Sequence, residues 1–285
     1  MIQDLYPIEH MWRDLKIVVA RRHRSNVRDL EQFAKEEWSK IPGGQGFNGM
    51  CINGRPLEMA VDVACGTGRY TLPLASHFKQ VLGLDISESQ ISVAKQMTLA
   101  KNVSYMVSPA EKLPVKNDSV DLVHVAVAAH WFKLDKFLDE TIRVLKTRGC
   151  LAVHAFEPIA EFEYKNLSDD LNAVMPEVWD TLFQQVDNST DDMLCRYQNL
   201  YEAIPLKDKQ RITDIPAKVQ LTIPEMIGFT QSSYMFQQLK EKDVKRAEQF
   251  IMRINKRFRD ILGEEVDSVR MNVHMKHYCV FACKH

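Results

Sequence analysis

The residues that could do chemistry are concentrated in VDVACGTGRYTLPLASHFKQVLGLDIS (61–87), which orders an apolar run, a glycine-containing turn, a helical stretch, a second apolar run and an acid at its end. Gly66 and Gly68 let backbone approach a ligand closely, as the first turn of a nucleotide-binding α/β sheet requires. A dinucleotide site wants G-x-G-x-x-G, yet Thr71 stands three residues after Gly68, and Asp62 precedes the turn. A carboxylate there opposes a pyrophosphate and suits a cation. S-adenosylmethionine fits that sign, because it has no phosphate and carries an ammonium and a sulfonium. Asp85, seventeen residues after Gly68, can accept from both hydroxyls of a ribose.

These residues need a scaffold. The runs MAVDVA (59–64), VLGLDI (81–86), VSYMV (103–107), VDLVHVAVA (120–128) and CLAVHAF (150–156) read as strands, with helices over about 69–79, 88–100 and 133–146. Strands alternating with helices imply right-handed crossovers and a doubly wound α/β sheet, mostly parallel and covered on both faces. Residues 157–215 lose the alternation and read as a mostly helical cap, after which KVQLTI (218–223), a long amphipathic helix and a last strand (272–283) follow. Ahead of the core, 9–40 suits amphipathic helices, with RRHR (21–24) on a solvated face, and the glycine-rich 41–56 reads as a hinge. The expectation is one domain over 1–285, with 1–50 as helical lid and hinge, 57–156 as core, 157–215 as cap and 216–285 as the C-terminal strands and helix.

Composition narrows the partners. A net charge of −1 removes the global positive field on which non-specific nucleic-acid binding relies. There is no run of about 18 apolar residues for a membrane span, and the first residues carry acids where a signal peptide wants bases. No nucleic acid, no membrane and a cytoplasmic location are therefore expected. The six cysteines are scattered without a CxxC pair and read as reduced thiols.

At the glycine turn the chain resembles the class I S-adenosylmethionine-dependent methyltransferases. SPAEKLPVKNDSVDLVHVAVAAHWF (108–132) looks like that family's adenine loop, fourth strand and following turn, and RVLKTRGCLAV (143–153) is similar to its helix, turn and fifth strand. The resemblance implies a seven-stranded Rossmann-like sheet and S-adenosylmethionine as cofactor, leaving S-adenosylhomocysteine. It puts Asp62 and the backbone of Ala64, Gly66 and Gly68 near the methionyl end, Asp85 on the ribose, Ile86, Ala110 and Glu111 around adenine, and Ala126 near the end of the fourth strand. Three positions depart from the family pattern. Ala64 replaces the first glycine, which is acceptable if its φ stays below zero; Pro109 replaces the adenine-side acid; and Thr147-Arg148 replaces a Pro-Gly, leaving Gly149 to make the turn.

The His130-Trp131-Phe132 turn and GFTQSSYMFQQL (228–239) resemble the small-molecule O-methyltransferase branch that includes trans-aconitate methyltransferases. That branch implies a hydroxyl or carboxylate acceptor on a phenol or small organic acid. His130 is the first candidate base and His154 the next, with Glu157 beside it; a phenol benefits from a base, whereas an ionised carboxylate needs none. Aromatic residues Tyr6, Trp12, Trp179, Tyr197 and Tyr234 could wall the acceptor pocket. No metal is expected, because Asp169-Asp170 and Asp191-Asp192 read as helix caps and His274 and His277 alternate to opposite faces of a strand. The competing readings are a non-catalytic S-adenosylmethionine-binding protein acting through a partner, a methyltransferase with a nitrogen acceptor, and a nicotinamide-dependent dehydrogenase, which Asp62 and Thr71 oppose.

Overall fold

In a computed structural model, residues 57–157, 160–185 and 195–285 are described. The expected N-terminal lid and hinge, with Tyr6, Trp12 and the basic run, lie outside them, as do Asp191 and Asp192. The chain opens with β1 (Met59–Val63), α1 (Thr71–Leu74), β2 (Gln80–Asp85), α2 (Glu88–Met97) and β3 (Val103–Val107). Then come β4 (Val120–Ala126), a 3-10 turn (Ala129–Trp131), α3 (Leu134–Val144), β5 (Leu145–Phe156) and β6 (Glu161–Glu163). The remainder is α4 (Ser168–Asn172), α5 (Met175–Phe183), α6 (Gln198–Ala203), β7 (Asp208–Leu221), α7 (Ile223–Ser232), α8 (Tyr234–Lys242), α9 (Val244–Leu262) and β8 (Met271–Cys283).

The described residues fall into two compact units. The larger unit holds 57–156, 195–215 and 277–285. Its strands run in the order β3-β2-β1-β4-β5-β8, parallel except for β8, which is antiparallel to β5. Residues Ala60–Val63 of β1 and Val120–Val125 of β4 are buried, because a parallel strand covered on both faces must be apolar at successive positions. One face packs Val61, Val63, Leu84, Val123, Val125 and Val153 against Tyr197 and Leu200, and the other packs Ala60, Leu122 and Ala152 against Leu74 and Phe78. The chain runs from β1 outward to β3, then returns to the other side of β1 with β4. The order therefore reverses between β1 and β4, and in open α/β sheets ligands bind at the carboxyl ends flanking such a reversal.

The smaller unit, within 157–185 and 216–276, has its own core around Phe162, Val174, Val178, Ile223, Phe250, Ile254 and Phe258. Thr222 and Glu225 form a reciprocal capping box at the start of α7, and Glu177 pairs with Arg253 and Arg257. Asp169 and Asp170 stand in the first turn of α4, where the helix dipole favours acids. Trp179, offered above as a pocket wall, stacks on Phe183 with ring centroids 5.9 Å apart in this unit.

Two elements differ from the sequence reading. The segment 157–215, read as helical, contains β6 and the first half of β7; Pro216, which has no N–H, makes that strand look as if it starts only at Lys218, ten residues after its true start at Asp208. Helix α1 is only four residues long, and the turns after it close three residues back, Ala75 N–H donating to the Leu72 carbonyl at 3.1 Å and His77 N–H to that of Leu74 at 2.9 Å. Among the described residues no helix is long and apolar enough to cross a membrane.

Candidate active site

The loop after β1 is built by backbone. Cys65 N–H donates to the Leu84 carbonyl at 2.8 Å and Gly68 N–H to that of Cys65 at 3.0 Å, so the turn folds back onto β2. Gly66 and Gly68 have φ of +57° and +82°, conformations that favour glycine. At Gly68 a Cβ would also drive into the Tyr105 hydroxyl. Ala64 has φ +56°, which corrects the expectation of a negative value: the position keeps the left-handed geometry of a glycine and carries the methyl group at a cost of about 1–2 kcal/mol.

Asp85 ends β2 and ties this loop to the next. Its Oδ2 accepts from Gly66 N–H at 2.7 Å and its Oδ1 from Ser87 N–H at 2.9 Å. A carboxylate oxygen can accept from two donors, the chemistry that a pair of ribose hydroxyls requires. Beside it Ile86 is 59% exposed, while Ala110 is buried. A carboxylate, backbone amides and an apolar ledge fit an adenosine bearing a cationic tail. The fit is less direct at Glu111, one of whose oxygens already accepts from Lys133 N–H at 2.8 Å in the turn leading to α3.

Asp62 has a different place from the one its charge suggests. Its side chain is fully buried, with Oδ2 accepting from the Thr71 hydroxyl at 2.5 Å and Oδ1 lying 2.7 Å from His124 Nδ1. Through these two contacts it ties the glycine loop to α1 and β4 from the interior. Thr71, which argues against a dinucleotide site, is thus a structural partner. Cys65 is inert packing, its thiol pushed up by burial and by the nearby Asp62 and Asp85 carboxylates.

On the other side of the strand-order reversal, β4 ends at Ala126, half-buried and paired with His154. Val127 follows with φ +55°, held by its N–H donating to the His154 carbonyl at 2.8 Å. A β-branched residue in that region is strained, and the strain turns the chain into the His130 turn. His130 is half-buried, with Nδ1 3.1 Å from the Tyr197 hydroxyl and its ring 4.8 Å from that of Trp131. Burial pushes its pKa down to about 4, so the ring is neutral at neutral pH.

His154 is corrected as a base candidate. It is buried within a row of rings on one sheet face, 5.6 Å from His124, 6.5 Å from His277 and 4.9 Å from Tyr70. Burial, then the neighbouring His124 and His277, hold its pKa well below the usual histidine range. The structure therefore brings Ala64, Gly66, Gly68, Asp85, Ile86 and Ala110 together at one edge with Ala126 and His130, and leaves Asp62 and His154 in the interior. Glu157 falls in the other unit. Sequence reading missed His124 as the partner of Asp62, although its place in step with Leu122 and Ala126 on β4 gave its face, and missed Tyr197 as the partner of His130.

An open α/β sheet with this glycine loop and acid is the architecture of the class I methyltransferases. Residues 61–153 match the family model described as a methyltransferase domain. A protein of Dictyostelium discoideum named as a methyltransferase is 40% identical over 99 residues, 35% of this chain and 36% of that protein. A malonyl-(acyl-carrier protein) O-methyltransferase of Methylococcus capsulatus is 33% identical over 107 residues, covering 36% and 39%. Among solved structures, a type II methyltransferase by name from Anaeromyxobacter dehalogenans superposes with TM-score 0.66 at 21% identity, over 80% of this chain and 91% of that one. YcgJ of Bacillus subtilis gives 0.51 at 19% identity, over 85% and 97%. The chain spans about a third to a half of the length of the curated relatives it matches. Residues 61–153 carry a methyltransferase domain of the class I, S-adenosylmethionine-dependent kind.

Proposed function

We propose that the chain as a whole is a cytoplasmic methyltransferase that acts on an oxygen of a small organic acid or phenol, without nucleic-acid substrate. When bound, the cofactor supplies an electrophilic methyl group on a sulfonium. Asp85 holds the ribose hydroxyls, the Gly66–Gly68 backbone lines the methionyl end, Ile86 and Ala110 flank adenine, and Ala126 borders the reacting centre. The observation that carries this reading is the position of the His130 turn: it follows the strand beside the glycine loop, at the carboxyl edge where an acceptor can meet the methyl group. Methyl transfer is an in-line displacement, so orientation and exclusion of water do most of the work, with up to about 7–11 kcal/mol available from positioning. His130 orients the acceptor; no metal is invoked. The Methylococcus relative, whose name gives an oxygen acceptor, supports oxygen over nitrogen.

The test is transfer of labelled methyl from S-adenosylmethionine to a panel of small carboxylic acids, phenols and amines. A labelled ester cleaved by mild base, or a stable aryl ether, supports the reading. Label only on amines replaces it with a nitrogen acceptor, and tight cofactor binding without transfer to any acceptor replaces it with a binding role.

A further inference from the structure

The stretch between β3 and β4 carries Ala110, which the proposed function sets beside adenine, yet residues 108–119 form no helix or strand of their own. A ledge on such a loop needs an outside hold, because each unfixed residue keeps conformational freedom that a ligand would have to remove. Its start is tied to the end of β2: Ser108 N–H donates to the Asp85 carbonyl at 3.0 Å, and the Ser108 hydroxyl to that of Lys112 at 2.7 Å. The rest is held by α3. At the start of that helix the Glu111 carboxylate accepts from Lys133 N–H at 2.8 Å. Further along, Glu140 and Arg143, three residues apart and so on one face, grip the backbone of Leu113 on both sides. Leu113 N–H donates to Glu140 Oε2 at 2.7 Å, and its carbonyl accepts from Arg143 Nη2 at 2.8 Å.

A guanidinium has five N–H donors, and all five of Arg143 are used. Nε and Nη2 each donate to Glu140 at 2.7 Å, the other Nη2 hydrogen goes to Leu113, and Nη1 donates to the Val115 carbonyl at 3.0 Å and to Asn117 Oδ1 at 2.8 Å. Three of the five therefore serve the loop rather than the helix. The Leu113 side chain is buried in the same core as Ala110, so packing and the held backbone fix the ledge together. A lysine, with three donors on a single nitrogen, cannot span acceptors spread from 113 to 117 while also pairing with Glu140.

We propose that Glu140 and Arg143 are positioning residues for the cofactor: through the backbone of Leu113 and Val115 they keep the 108–117 loop in the shape that receives adenine before the ligand arrives. This rests on the adenine placement in the proposed function and adds the residues that hold the loop ready. A loop without that hold populates other shapes, and the apparent affinity falls by the fraction that remains competent. Hydrogen bonding to Arg143 keeps the Glu140 carboxyl below its usual pKa, so the pair stays charged at neutral pH.

The test uses the full chain and reads the loop first without ligand. In Arg143→Lys, amide hydrogen exchange over 108–118 is faster than in wild type, while β1 and β4 are unchanged. Isothermal titration of S-adenosylhomocysteine and of methylthioadenosine, which keeps adenine and ribose but lacks the amino acid, shows both Kd values raised about tenfold, as a loop competent about a tenth of the time requires. Glu140→Gln, which keeps an oxygen for Leu113 N–H and loses the charge facing Arg143, raises both Kd values less than Glu140→Ala does. That pair of variants carries the test if Arg143→Lys does not fold. A folded variant with a lower urea midpoint and unchanged Kd for both ligands overturns the positioning role. A Kd raised for S-adenosylhomocysteine but not for methylthioadenosine overturns it too, because the effect then lies away from adenine. Wild-type protein that binds neither ligand overturns the cofactor-site reading itself.

Discussion

Lowering the pH from 7.5 to 5 should destabilise the larger unit through its buried histidines, and His277→Phe should remove one identifiable share of that loss. His277 is buried where β8 pairs with the end of β5, opposite Phe156, with ring centroids 5.6 Å apart. Burial pushes its pKa from 6.5 down to about 4. The unfolded chain therefore takes up a proton below pH 6.5 while the folded one stays neutral until about 4. Stability is complete above 6.5 and is lost as pH falls, the opposite sense to a histidine stabilised by an acid. At pH 5 the unfolded state has titrated through about 1.5 units and the folded state has not begun, which at about 1.36 kcal/mol per unit is a loss of about 2 kcal/mol.

Phenylalanine replaces the ring by one of similar shape, so it can keep the stacking on Phe156 while removing the proton site. Urea unfolding of wild type and His277→Phe at pH 7.5 and 5 measures the difference directly. The window stays above the range where Glu140, Glu163 and Glu177, all with lowered pKa values, give up their own contribution. The variant should lose about 2 kcal/mol less than wild type between the two pH values. An equal loss in both proteins would show that His277 is not held neutral in the folded state and would refute the burial argument.

Three further substitutions probe the glycine loop. Ala64→Gly relieves a left-handed backbone and should raise stability by up to about 1 kcal/mol after glycine's own entropic cost, read as a higher urea midpoint. Gly68→Ala places a methyl against Tyr105 at φ +82°, and should lower the thermal midpoint and cofactor affinity together; a folded variant with unchanged affinity would contradict the close-packing account. Asp62→Ala removes the partner of both Thr71 and His124 in a fully buried position, costing about 1–3 kcal/mol for each group left unsatisfied, and should lower stability even without cofactor. If Asp62→Ala instead lost cofactor affinity with stability intact, the carboxylate would face the ligand after all.

Much of the core was legible because buried parallel strands must be written as apolar runs. The β1, β2 and β3 segments lie within a residue of where those runs place them. The beginning of β5 was hidden because LKTRG extends beyond the apolar run, with Lys146 only partly exposed and paired to Asp121 at 2.9 Å. Arg148 takes the left-handed position there, φ +66°, and Gly149 is needed instead because a Cβ would stand 2.8 Å from the Val120 carbonyl oxygen. Asp85 and the loop glycines could be singled out because they lie close together in sequence, in the turn after β1 and at the end of β2. The pairs Asp62–His124 and His130–Tyr197 were not, since they join residues 62 and 67 positions apart, and strand register and helix packing that no local pattern encodes bring them together.

In the proposed function the carboxyl edge of β1 and β2 holds S-adenosylmethionine through Asp85. Isothermal titration of S-adenosylhomocysteine into wild type and a folded Asp85→Ala variant tests it most directly. Loss of one to two charged hydrogen bonds at about 1.5–3 kcal/mol each predicts a Kd raised at least about tenfold, with circular dichroism unchanged. An unchanged Kd in the folded variant would remove Asp85 from the site and contradict the account.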